Sequence, residues 1–150
     1  MKPRIHQFVP GQAKTYEVAD DEIPEDRKKV LILDDDVDVT RLLKDFLAES
    51  GFDVTCVQTG VEGIKHVLAT DFDAILCDMM MPQMPGDMFY LAVDRVKPHL
   101  CKRFLFMTGH RGNPKVEDFL KAHKGLVLYK PFELHVLLDT IRGLARKKVS

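Results

Sequence analysis

The sequence predicts an α/β fold: a doubly wound, five-stranded parallel sheet with five helices and an N-terminal arm. Two observations carry this. Five short apolar runs alternate with five amphipathic stretches from Val30 onward. The runs are mostly continuous, the pattern of strands buried on both faces. Strands alternating with helical stretches give parallel βαβ units with helices on both sides of the sheet. No internal repeat or low-complexity tract breaks the series.

Each element has its own signal. Val30–Leu33 (VLIL) is the first strand. Val39, Leu42, Leu43, Phe46 and Leu47 follow helical spacing, and Gly51 stands just past them, where a left-handed cap is wanted. Phe52–Val57 (FDVTCV) is a second strand, rich in β-branched residues. Val61, Ile64 and Leu68 mark a short helix face. Ala74–Cys77 (AILC) is the third strand, followed by a loop holding Pro82, Pro85 and Gly86. Phe89, Ala92, Val93 and Val96 mark a third helix, which Pro98 stops. Phe104–Met107 (FLFM) is the fourth strand, and Val116, Phe119 and Leu120 mark the fourth helix. Leu126–Tyr129 (LVLY) is the fifth strand, and Leu134, Leu137, Leu138, Ile141 and Leu144 form the stripe of a closing helix.

Residues 1–28 read differently. Pro3, Pro10, Gly11 and Pro24 interrupt them, and the acid-rich stretch ADDEIPED precedes the first strand. Proline spacing and low apolar density disfavour helix or ladder, so a linker or arm is expected, with Ile5, Phe8, Val9 and Tyr16 as docking candidates. The domain is expected over 29–146, with 147–150 as a tail.

The 150 residues suit one core, and a domain of that length buries roughly 70% of its unfolded surface without a disulfide or metal staple. Charged residues make up 30% and apolar ones 45%, which excludes a wholly disordered chain. The net charge of -1 gives no basic footprint, so direct nucleic-acid binding is not expected. Cys56, Cys77 and Cys101 are odd in number and lack C-x-x-C spacing, which fits reduced thiols in a cytoplasmic protein. No apolar run approaches the roughly 18 residues of a membrane span, so no membrane insertion is expected. The N-terminus has no apolar signal region.

In doubly wound sheets, chemistry gathers at the carboxyl ends of the strands. Asp34, Asp35 and Asp36 follow the first apolar run, Asp78 the third, Thr108 the fourth and Lys130 the fifth. Two carboxylates about 5 Å apart repel by roughly 3 kcal/mol at an effective dielectric near 20, so a compensating cation is needed. An all-oxygen carboxylate set suits a hard divalent ion, Mg²⁺ above all. Lys130 adds a fixed charge and Thr108 a hydroxyl donor. Together they make a receptor for a phosphoryl group, and an Asp nucleophile can form an aspartyl phosphate. Each residue also has an ordinary reading. Asp36 and Asp38 suit helix N-caps, Asp78 and Thr108 turns, and Lys130 a solvated charge. His110 suits an exposed loop or a proton-active group near the site. Met79, Met80, Met81, Met84 and Met88 suit adaptable packing more than a binding surface.

The stretches VLILDDD (30–36), DAILCDMMMPQMPG (73–86), FMTGH (106–110) and LYKPF (128–132) resemble the receiver domains of two-component response regulators. The resemblance implies a flavodoxin-like sheet of strand order 2-1-3-4-5. It makes Asp78 the phosphoacceptor, fed by a phosphohistidine on a sensor histidine kinase or a histidine phosphotransfer protein. It makes Asp34 and Asp35 the Mg²⁺-binding acids, together with Asp78 and the backbone carbonyl of Met80. It makes Thr108 the switch hydroxyl, Lys130 the phosphate-pairing lysine and Lys130–Pro131 a cis bond. Met80 and His110 fall at positions that modulate hydrolysis in the family. A protein-interaction surface would then carry the signal to a downstream protein, without turnover as an enzyme.

One position departs from the family pattern. The switch aromatic lies three residues before the lysine, and that residue here is Val127, with Tyr129 about 7 Å further along the strand. Activation is therefore expected to act through a backbone and helix shift rather than ring rotation. Val127 at this position is similar to receivers of hybrid sensor kinases. The chain reads either as a stand-alone receiver or as a piece of a longer protein. Two other readings compete. One is a receiver-like docking module that is never phosphorylated. The other is a haloacid-dehalogenase-like phosphatase, because Asp36-Val-Asp38-Val-Thr40 matches its D-x-D-x-T nucleophile motif.

Overall fold

The computed structural model describes residues 27–109 and 112–146. The expectations for residues 1–26, His110 and 147–150 lie outside the described residues. Five strands form the sheet: β1 (Lys29–Leu33), β2 (Asp53–Val57), β3 (Ala74–Asp78), β4 (Phe104–Thr108) and β5 (Leu126–Tyr129). Five helices cover it: α1 (Val37–Glu49), α2 (Gly60–Ala69), α3 (Gly86–Val96), α4 (Pro114–Ala122) and α5 (Leu134–Arg146). The strands are all parallel, in the order β2-β1-β3-β4-β5. The chain reverses its direction of travel across the sheet between β1 and β3, so the crevice opens beyond their carboxyl ends.

Strand alternation divides the core into two layers. Leu31, Leu33, Ile75, Cys77 and Phe106 face Val67, Phe89, Val93, Val116 and Leu120 from α2, α3 and α4. Val30, Ile32, Leu76, Leu105 and Met107 face Leu43, Leu47, Leu137, Ile141 and Leu144 from α1 and α5. Both faces of β1, β3 and β4 are therefore apolar, which is why these strands read as unbroken runs.

Local chemistry fixes the ends. Asp36 caps α1, its carboxylate accepting from the Asp38 and Val39 amides. Asp38, the other expected cap, falls in the first turn, where a negative charge favours the helix dipole. Gly51 has φ of 103°, the left-handed stop expected after α1. The third helix ends before Pro98 as expected, and a 3₁₀ segment, Pro98–Arg103, follows it without a sequence signal.

Four expected stripe positions are corrected. Leu42 is 58% exposed on α1, and Val61 and Leu68 are 59% and 56% exposed on α2. The buried row of α2 is Gly60, Gly63 and Val67. A Cβ on Gly63 would lie 2.7 Å from the Phe89 ring, so the missing side chains set how closely α2 meets α3. An apolar count cannot see a face paved with glycine. Val96, at the end of α3, is also exposed.

Candidate functional site

The carboxyl edge of the sheet gathers most of the polar residues singled out in the sequence. Asp34 leaves β1, Asp78 ends β3, Thr108 ends β4, and Lys130 follows β5. Asp34, Asp78 and Thr108 are buried, while Asp35 is exposed. Parallel strands that stop in register deliver these groups together. The Asp34 amide donates to the Val57 carbonyl at 3.2 Å, and the Lys130 amide donates to the Thr108 carbonyl at 2.8 Å. Both extend the ladder one step past a strand and fix where the side chains start. The Lys130–Pro131 peptide is cis, as the resemblance implied.

Lys130 Nζ stands between the two buried carboxylates, 3.2 Å from Asp34 Oδ2 and 3.5 Å from Asp78 Oδ2. The remaining oxygens take backbone donors. Asp34 Oδ1 accepts from the Asp36 amide and Asp78 Oδ1 from the Met80 amide, both at 3.0 Å. One carboxylate oxygen from each of Asp34, Asp35 and Asp78 lies within 4.8 Å of the others. Three carboxylates against one ammonium leave the cluster negative. An all-oxygen set with that surplus charge fits a hard divalent cation such as Mg²⁺.

The electrostatics are set by burial. Burial, assisted by the Asp34 charge, pushes the Asp78 carboxyl up to about 6, against the opposing pull of the Met80 amide and Lys130. Burial disfavours the charged form of Lys130, but the Asp78 and Asp34 carboxylates outweigh it and raise its pKa. Burial also holds the Cys77 thiol well above its usual range, so this neighbour is inert.

Gly86 completes the frame, and its role was not read from the sequence. A Cβ there would lie 2.6 Å from the Asp78 carbonyl oxygen and 2.9 Å from Met79 Cα. Its amide also donates to the Met79 carbonyl at 3.0 Å. The first turn of α3 therefore packs directly on the backbone that carries Asp78. The M-P-G sequence held the signal, but its meaning is spatial.

Other candidates fall outside the cluster. The Asp36 carboxylate is engaged as the α1 cap, and only its amide serves the cluster. The methionine run divides: Met79 and Met81 are buried, and Met80 and Met88 are exposed. Val127 is the register partner of Phe106 and packs half-buried against the α2–α4 layer. Tyr129 is the register partner of Thr108.

Comparison with known proteins agrees with this arrangement. The family "Response regulator receiver domain" matches residues 30–142. The response regulator receiver protein CpdR of Brucella abortus is 29% identical over 117 residues, covering 78% of this chain and 96% of that protein. The probable chemotaxis protein CheY of Rhizobium etli is 31% identical over 118 residues, covering 77% and 91%. Other matched relatives are longer: the chain spans 46% of a receiver protein from Anaeromyxobacter and 52% of a CpxR homologue from Haemophilus influenzae. Among solved structures, the chemotaxis protein CheY4 of Vibrio cholerae superposes with a TM-score of 0.71 at 28% identity, over 79% of this chain and 98% of that one. With its sheet order, its carboxyl-edge cluster and a family match across most of its length, the chain belongs to the receiver domains of two-component response regulators.

Proposed function

We propose that Asp78 accepts a phosphoryl group from a phosphohistidine on a sensor histidine kinase or a histidine phosphotransfer protein. The observation that carries this is the Lys130 ammonium held between Asp34 and Asp78, with an oxygen of Asp35 within 4.8 Å of an oxygen of each of those two carboxylates. A carboxylate oxygen of Asp78 forms a new P–O bond as the donor's P–N bond breaks. The imidazole nitrogen leaves with the electron pair. Asp34, Asp35, Asp78 and the Met80 carbonyl would hold Mg²⁺. That ion, when bound, neutralises charge on the phosphoryl oxygens. Lys130 and the Thr108 hydroxyl bind those oxygens after transfer.

Phosphorylation adds about -1.5 to -2 of charge at Asp78. Thr108 and Lys130 sit at the ends of β4 and β5, so their movement toward the new oxygens biases how α4, β5 and α5 pack. A downstream protein reads that surface. In this reading residues 29–146 are the receiver, 1–28 a linker or arm and 147–150 a tail. The protein works in the cytoplasm as a phosphoacceptor rather than a turnover enzyme. It needs no direct nucleic-acid contact and no membrane insertion. Among the described residues no helix is long and apolar enough to cross a membrane.

The test is the rate of phosphoryl incorporation from acetyl phosphate, with Mg²⁺ or with chelator. Incorporation should require Mg²⁺, and Lys130→Ala or Asp35→Asn should slow it about 100-fold. Wild-type rates in both variants, or incorporation unaffected by chelator, would sink the assignment of these residues.

A further inference from the structure

The sheet's opposite, amino edge carries a second concavity that phosphoryl chemistry does not use. A cavity of about 470 Å³ opens there between α3, the 3₁₀ segment, α4 and β5. Its buried wall is apolar, with Phe104 and Phe106 from β4 beside the half-buried Tyr90. Tyr90 itself contacts four rings, those of Phe104, Phe106, Phe119 and His123. Its rim is basic: Lys102, Arg103, His123 and Lys124 line it, and no lining residue is acidic. Leu126, on the same rim, leaves 44% of its surface exposed. Lys124 is held at φ of 51°, a left-handed backbone that a side-chain-bearing residue adopts at a cost.

This edge is also where the described chain begins. Arg27 lies two residues before β1, and Phe104 and Leu126 are the first residues of β4 and β5. The segment just upstream complements the cavity. Residues 17–26 (EVADDEIPED) contain six acids and no base. One large aliphatic residue, Ile23, stands among them, with Asp20, Asp21 and Glu22 before it and Glu25 and Asp26 after it. The reach is sufficient. From β1 to β5 is three strand spacings, about 14 Å. Six extended residues from Lys29 to Ile23 span up to about 20 Å.

We propose that residues 17–26 of this chain dock on the cavity at the amino edge of the sheet. Ile23 seats against Phe104, Phe106 and Tyr90, and the flanking acids pair with Lys102, Arg103 and Lys124. The arm then lies across the junction of α4 and β5, on the side of the sheet away from Asp78.

Zero-length carbodiimide cross-linking of the full chain, read by peptide mass spectrometry, tests this. Links from Lys102 or Lys124 to acids of residues 17–26 are expected within one chain. They should fall several-fold in about 0.5 M salt, where surface charges are screened over a few ångström. Ile23→Ser should also lower their yield, while links to the sequence-adjacent Lys28 and Lys29 persist as the internal control. Lys102→Glu with Lys124→Glu should abolish them. Adding Asp20→Lys, Asp21→Lys and Glu22→Lys to that variant should restore links of reversed polarity. The proposal is overturned if only the adjacent lysines link to the arm. It is equally overturned if a mixture of isotope-labelled and unlabelled chains shows the links only between chains, which would make the occupant a second copy.

Discussion

Asp78 is the cluster carboxylate whose protonation burial shifts. Its carboxyl is raised to about 6, so the folded state binds this proton more tightly than the unfolded state, where an Asp titrates near ~4. The sign follows from linkage. Stability from this group is fully present below about pH 4 and is lost as the pH rises through about 6. Without metal, Asp78→Asn should therefore stabilise the protein at pH 7 by about 2 kcal/mol, and the gain should vanish near pH 4. Urea denaturation in chelator at both pH values measures it, and a gain independent of pH would contradict this reading of Asp78. Gly86 sets a second test. Its substitution by Ala drives a Cβ into the Asp78 carbonyl oxygen, 2.6 Å away, and the atom it meets is backbone that no rotamer change can move aside. A loss of about 2 kcal/mol is expected, together with slower phosphoryl incorporation because Asp78 itself must shift. Unchanged stability and rate would mean that α3 can retreat without disturbing the site.

At the scale of elements, the β1–α1 junction separates two chemistries that the sequence runs together. DDD is one tract in the sequence, but the structure gives each member a different task. Asp34 is buried against Lys130, Asp35 faces the cluster from solvent, and Asp36 caps α1. Asp36→Ala should cost about 1 kcal/mol through the lost cap and leave incorporation from acetyl phosphate intact. Loss of incorporation with the fold retained would revive the phosphatase reading, which needs Asp36 as nucleophile. Helix faces were the least legible elements. The periodicity placed Leu42, Val61 and Leu68 inward, whereas the packing of α2 is set by Gly60 and Gly63 and by the neighbouring Phe89 and Met84. Strands were more legible, since β1, β3 and β4 lie buried on both faces and each boundary falls within one residue of its apolar run.

For the whole molecule, fold class followed from alternation, and the gathering of Asp34, Asp78, Thr108 and Lys130 at one sheet edge followed only through that fold class. These residues are up to 96 positions apart, as Asp34 and Lys130 are, and only the parallel order β2-β1-β3-β4-β5 brings them to one edge. The strand order came from the motif resemblance rather than from periodicity, which is silent about neighbours in a sheet. The packing role of Gly86 and the basic amino-edge cavity were not legible, because both depend on the approach of surfaces distant in sequence. The central claim is that this edge exists to place a phosphoryl group on Asp78. Intact-mass spectrometry after treatment with acetyl phosphate and Mg²⁺, beside Asp78→Asn, tests it most directly. The wild-type chain should gain one phosphoryl mass that hydroxylamine removes, and Asp78→Asn should gain none. An adduct of equal yield on Asp78→Asn, or none on the folded wild-type chain, would contradict it.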